Sequence, residues 1–237
     1  MFNFSPTQYD VNFRFFDFRI RIHPFFWILV LFLFMRTPVT TLFVWLLYLA
    51  AWCGAVFVSV LTHELGHAFV FRYIFFVESS IVLHGMGGVT IPYSAPRRYY
   101  GVKGLLYKIF LDAAGCLAGF LLAAIAIGLF MITATQNEFN LFSAVKEFFY
   151  NIAVVSIFWG IFNLLPIYPL DGGQISREIF LFFSQKKGLA NSLIISIATA
   201  AICIGLCLTY NVIFGAILLG FLAYQNYVEL SNTSFRY

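Results

Sequence analysis

Residues 39–73 read VTTLFVWLLYLAAWCGAVFVSVLTHELGHAFVFRY, and nothing charged occurs in them before Glu64. An apolar run of more than about 20 residues matches the hydrocarbon core of a bilayer, and a helix is the open-ended structure that satisfies its own backbone there. Further apolar runs follow at 105–134, 148–168, 189–209 and 212–228, with a shorter one at 24–35. The last is short for a span, so its flanks contribute or it crosses only in part. A soluble domain is nearer a quarter charged, whereas this chain is 62% hydrophobic and 10% charged. Soluble classes are thereby excluded. The net charge of +4 comes from loop arginines and lysines without a long basic run, which gives no footprint for nucleic acid.

The expected fold class is an all-α integral membrane protein of about six transmembrane helices, multi-pass in the cell membrane with the bilayer as its solvent. A small strand-containing loop region follows the second helix, because "SSIVLHGMGGVTIPYS" (79–94) alternates within a stretch rich in Gly, Pro, Ser and Tyr. One polytopic domain is expected over 1–237, with an N-terminal segment (1–23), a core (24–184) and two additional spans (189–228). Cysteines 53, 116, 203 and 207 fall in apolar stretches and read as small buried hydrophobes. No cleaved leader is expected, since the first apolar run begins after residue 23 without an A-x-A site.

Orientation follows from the cations. Of the 14 Lys and Arg, only Arg36 and Lys146 fall outside the N-terminus, 72–108, 177–187 and the C-terminus. With six spans these sets alternate, which puts both termini on the cytoplasmic side and the "HELGH" of residues 63–67 towards it.

That pentapeptide is the chemical feature. In a helix His63 and His67 share a face, so both can hold one metal ion, for which neutral imidazole and Zn²⁺ are suited. Glu64 stands beside them as a general base. A hydrolytic zinc site commonly takes a third protein ligand. Asp112, Glu178 and Glu78 sit at segment boundaries, whereas Asp171 lies in "NLLPIYPLDGG" (163–173), where Pro166 and Pro169 interrupt a helix and Gly172 and Gly173 let the backbone turn away. The alternative is that Asp171 caps the next helix.

"HELGH" and "NLLPIYPLDGG" together carry the HExxH and NxxPxxPLDG patterns, and the chain resembles the site-2 protease family of intramembrane zinc metalloproteases. "RIRIHPFFWILV" and the "HGMGG" loop resemble its sporulation branch, which processes a membrane-associated sigma-factor precursor. The resemblance covers roughly residues 20–184. It implies one Zn²⁺ per chain on His63, His67 and Asp171, Glu64 as catalytic base and proton shuttle, and Asn163 facing the catalytic centre. Asn163 has a second reading as a helix-packing amide. The implied partner is a membrane-anchored protein substrate, a transcription-factor precursor or an anti-sigma factor, cut in or near its transmembrane segment. Self-association stays open. Gly87 and Gly88 are candidate substrate-binding positions, where an extended segment could pair with the loop. A zinc or ion transporter and an inactive membrane scaffold are the alternatives from other classes.

Two departures stand against the family pattern. Many members read AGPxxN in the third span, where this chain has "AGCLAG" (114–119), and the Gly115–Gly119 spacing suits close helix packing instead. No PDZ domain and no nucleotide-sensing CBS domain is expected. His84, in the loop, reads as an incidental histidine.

Overall fold

In the computed structural model the described residues are 6–34, 41–133, 141–185 and 187–234. By its contacts the chain forms two compact units, residues 1–97 with 114–160, and residues 98–113 with 161–237.

The first unit holds β1 (Val11–Phe15), β2 (Phe18–Ile22), α1 (Pro24–Phe34), α2 (Leu42–Tyr73), β3 (Ser79–His84), β4 (Gly87–Pro92), and parts of α3 (Gly101–Thr133) and α4 (Leu141–Asn163). The strands form one sheet in the order β1-β2-β3-β4, so β4 is an edge. Strands β3 and β4 lie where alternation predicts them; β1 and β2 enlarge the sheet from the N-terminal segment, for which no element was named. The signal was there. Phe18, Ile20 and Ile22 are buried, while Arg19 and Arg21 face the other way, a period of two. Phe16 (φ +48°) and Asp17 (φ +66°) both take left-handed backbone, the geometry of a two-residue hairpin turn whose twist matches its strands. Strands β2 and β3 pair in parallel, which requires a long crossover, and α1 with α2 provides it.

The core of this unit joins sheet to helix: Phe18, Ile20, Ile22, Ile81 and Leu83 pack with Phe26, Val30, Val60, Leu65 and Ala68. Full burial of one such large side chain is worth roughly 1.5–3 kcal/mol, so the sheet is fixed against α2. A buried hydrogen bond of 2.9 Å from Ser156 Oγ to Ser59 Oγ ties α4 to α2 one turn before His63.

Among the described residues five helices are long and apolar enough to cross a membrane: α2, α3, α4, α6 (Gly188–Thr209) and α7 (Ile213–Ser234). The protein is thus an integral membrane protein, mostly helical, as expected. Helix α1 has 11 residues, which at about 1.5 Å each reach only about half of a ~30 Å hydrocarbon core. The residues that would extend it, 35–40, lie outside the described set.

In the second unit α4 stops at Asn163, five residues before the expected Tyr168. Pro166 cannot donate to the helix ladder and pushes the residue before it away from helical backbone. Residues 164–170 then form irregular backbone with a cis Tyr168–Pro169 peptide, leading into α5 (Asp171–Phe183). Side chains from the last two spans hold the Tyr168 backbone. Its N–H donates to Ser196 Oγ on α6 (3.1 Å), and its carbonyl accepts from Asn226 Nδ2 on α7 (2.6 Å). The Arg177 guanidinium lies 4.5 Å from the Tyr168 ring centroid and donates to Glu229 Oε1 at 2.8 Å. Helices α6 and α7 meet at Tyr210–Asn211, the hinge visible in the sequence, where Asn211 takes φ +57°.

Candidate metal centre

Helix α2 carries His63, Glu64 and His67 two to three turns before its C-terminal end, and all three are buried. A helical spacing of four puts both imidazoles on one face, and their Nε2 atoms lie 3.2 Å apart. Two nitrogens bound tetrahedrally to one zinc at about 2.0–2.1 Å would be separated by about 3.3 Å, so this pair already has the spacing of ligands to a single ion. The space in front of them is kept by Gly115 of α3. A Cβ at Gly115 would fall 2.8 Å from His63 Nε2 and closer still to His67 Nε2.

Reciprocally, a Cβ at Gly66, inside the HELGH motif, would collide with the Ala114 carbonyl and come within 3.0 Å of Ala118 Cβ. The "AGCLAG" stretch is therefore part of this centre, through Gly115 and the Ala114 backbone. Reading it as close helix packing found the steric property and missed what it serves. Gly119 has only the Ser156 carbonyl at 3.7 Å and is not under the same constraint.

Glu64 faces β4. Its Oε2 accepts from Thr90 Oγ1 at 2.8 Å, and a Cβ at Gly88 would come within 2.7 Å of its Cδ and Oε1. Gly87, at φ +116°, lies against Trp159 of α4, whose ring a Cβ there would strike. The two candidate glycines thus back onto Glu64 and Trp159, while the outer edge of β4 has no strand partner among the described residues. Thr90 went unnoticed in the sequence because a lone threonine in a strand carries no motif.

His84 is buried at the end of β3, and its Nδ1 accepts from the Met86 N–H at 3.1 Å. Burial, with repulsion from His23, holds its pKa down at about 4, so it is neutral at physiological pH.

In the second unit Asn163 is the last residue of α4 and Asp171 the first of α5, and each is only 8% exposed. Leu170 occupies the N-cap position, so Asp171 is not the cap; it stands in the first turn, where the helix's partial positive charge favours a carboxylate. Gly172 and Gly173 do not turn the chain away, contrary to expectation. Both belong to the regular first turn of α5, and Cβ atoms there would collide with the Leu164 and Ile167 carbonyl groups. Glycine at both places lets that turn rest directly on the 164–168 backbone.

Comparison with known proteins agrees with the motifs. Residues 129–208 match Peptidase family M50. The chain is 31% identical over 136 residues to a zinc metalloprotease of Methanocaldococcus jannaschii, covering 57% of this chain and 35% of that protein. It is 28% identical over 175 residues to stage IV sporulation protein FB of Bacillus subtilis, covering 71% of this chain and 49% of the other. The chain thus spans between a third and a half of the length of these relatives. Its fold resembles that of the site-2 protease from Methanocaldococcus jannaschii, with a TM-score of 0.58 and 23% identity over 94% of this chain and 95% of that one. The sequence matches bear out the resemblance to this protease family, and the structural match shows that the fold is shared.

Proposed function

We propose that the chain is an intramembrane zinc metalloprotease of the site-2 type, hydrolysing a peptide bond in or near a transmembrane segment of a membrane-anchored protein. The observation that carries this is the pair of buried imidazole nitrogens 3.2 Å apart with a glutamate adjacent in sequence, inside an apolar helix. Ionisable groups at such a position are costly and mark function. Nothing observed favours a transporter or an inactive scaffold.

In this proposal His63, His67 and Asp171 hold one zinc ion. Zinc bound there supplies a Lewis acid, which activates water near neutral pH and polarises the scissile carbonyl. Glu64 accepts a proton from the attacking water and delivers it to the departing amine nitrogen. Asn163 offers an amide N–H to the oxygen that becomes negative. The free edge of β4, beginning at Gly87 and Gly88, offers backbone groups to an unwound, extended substrate. From the resemblance of its motifs to the sporulation branch of the family, the substrate class we propose is a membrane-anchored transcription-factor precursor or anti-sigma factor.

The test is a division of roles. His63→Ala, His67→Ala and Asp171→Ala should each lose zinc and cleavage together, whereas Glu64→Gln should keep zinc and lose cleavage. Full zinc occupancy in Asp171→Ala would remove that residue from the ligand set. A cleaving Glu64→Gln variant would refute the base. We read the loops at 78–104 and 184–188, together with both termini, as cytoplasmic, a reading supported by the distribution of Lys and Arg along the sequence. Cysteines at Ser94 and Lys187 in a cysteine-free background should then resist impermeant thiol reagents in intact cells, and ready labelling would overturn the orientation.

A further inference from the structure

We propose that Thr90, on β4, is a positioning residue that holds the carboxylate of Glu64, with Gly88 as the second half of the same seat; this rests on the protease reading above. Thr90 Oγ1 lies 2.8 Å from Glu64 Oε2 and 3.0 Å from the Glu64 backbone carbonyl. A hydroxyl has one hydrogen to give. The carboxylate is the nearer acceptor and the charged one, which makes it the stronger partner. The carbonyl is already engaged in the α2 ladder, where residue 64 accepts from residue 68, so it needs no second donor.

The geometry limits the carboxylate from two directions. Gly88 and Thr90 are two apart on one strand, so both present the same face of β4 to α2. Without a side chain, Gly88 admits the Glu64 carboxylate where a Cβ would come within 2.7 Å of Cδ and Oε1. Thr90 then fixes Oε2 at the far side of that space. Strand β4 is itself fixed through β3, by a register pairing Gly88 with Leu83 and Thr90 with Ile81, both fully buried in the core. A flexible glutamate is thereby tied to a strand whose register partners lie in the buried core. A general base works only within hydrogen-bond reach of its proton, so the rotamer chosen by this tether decides whether Glu64 can act. The same strand would pair with an extended substrate, which makes β4 the common reference for substrate backbone and base.

Thr90→Val removes the hydroxyl at nearly constant shape, and Thr90→Ser restores it. A hydrogen bond to a charged group corresponds to a fall in kcat of about ten- to a hundredfold in Thr90→Val, with KM and zinc content unchanged. Thr90→Ser should recover most of the rate. Gly88→Ala should lower kcat with zinc retained, since its methyl displaces the carboxylate and not the imidazoles. A second readout does not depend on turnover. In the metal-free protein at a pH where carboxylates are ionised, the infrared difference between Glu64 and Glu64→Gln isolates one carboxylate stretch. That band should shift in Thr90→Val and return in Thr90→Ser. An unshifted band, or a Thr90→Val enzyme cleaving at the wild-type rate, would overturn the proposal. Failure of the wild type itself to cleave, or an active Glu64→Gln, would instead refute the protease reading.

Discussion

Gly115→Ala should abolish tight zinc binding although it adds one methyl group to a residue that is not a ligand. The new Cβ would lie 2.8 Å from His63 Nε2 and 2.9 Å from its Cδ2, and nearer still to His67 Nε2. Nine in ten real Cβ contacts lie beyond 3.4 Å, so His63 would retreat by 3.4 − 2.8, about 0.6 Å, and His67 by more. Zinc–ligand distances tolerate only about 0.2 Å. Relief by moving α2 away is opposed by Gly66, which rests on the Ala114 carbonyl, and by the Ser59–Ser156 bond behind it. Changes near ligands that merely misorient them already cost about 10–100-fold in metal affinity, and a direct collision with two should reach the upper end or exceed it. The assay is zinc retained by purified protein after equilibration with a competing chelator, read beside the melting temperature of the metal-free form. Gly119→Ala is the control on the same helix. Its Cβ meets only a carbonyl at 3.7 Å, so it should keep zinc and gain about 0.5–1 kcal/mol from the better helix former. Normal zinc affinity in Gly115→Ala would show that the two helices move apart freely and that the steric argument is wrong.

His84 should make the sheet acid-sensitive: its folded pKa of about 4 lies below the ordinary 6.5, so the neutral form is the stable one. Its contribution is complete above pH 6.5 and is lost as pH falls towards 4, with a ceiling of about 3 kcal/mol; melting curves across that window should flatten in His84→Gln, and an unchanged slope would count against it. Asn226→Leu should lower stability by about 1–3 kcal/mol because the half-buried Tyr168 carbonyl loses its donor, with Ser196→Ala nearer 1 kcal/mol. Because Tyr168 is three residues from Asp171, the proposed third ligand, the Asn226 variant should also lose zinc more readily under chelation, and equal retention would show that the loop holds its shape without the last span.

Spans and chemistry were legible for different reasons. Apolar length is a direct consequence of bilayer thickness, so α2, α3, α6 and α7 lie close to where hydropathy puts them. Helix α4 was misplaced at both ends, because Ser143, Lys146 and Glu147 make its first two turns look like the end of a polar loop and its last expected residues are apolar without being helical. Hydropathy does not register that Pro166 ends the helix at Asn163. The strands β1 and β2 were missed because arginine alternating with phenylalanine and isoleucine reads as merely polar and aromatic until its period is counted. The HExxH histidines were legible because four residues of helical spacing fix their relation locally. Thr90 and Gly115 were not, because their relation to Glu64 and the histidines spans 26 and about 50 positions of chain and is set by packing alone.

The glycines show how such packing makes a site. Gly66 and Gly115 stand on different helices, and neither tolerates a side chain, so α2 and α3 approach to backbone contact. In hydrocarbon no hydrophobic force draws two helices together, and close approach of small residues gains van der Waals contact in its place. At Gly115 that contact is asymmetric. The glycine meets imidazole nitrogens where a packed helix pair would present carbon, leaving room at the one place where a ligand ion would sit. On another side of the same turn, Gly88 does for the Glu64 carboxylate what Gly115 does for the imidazoles. The polar atoms of a buried HExxH are thus held clear by absent side chains on two different elements. The HExxH pattern does not include these positions, although a Cβ at either would collide with its side chains.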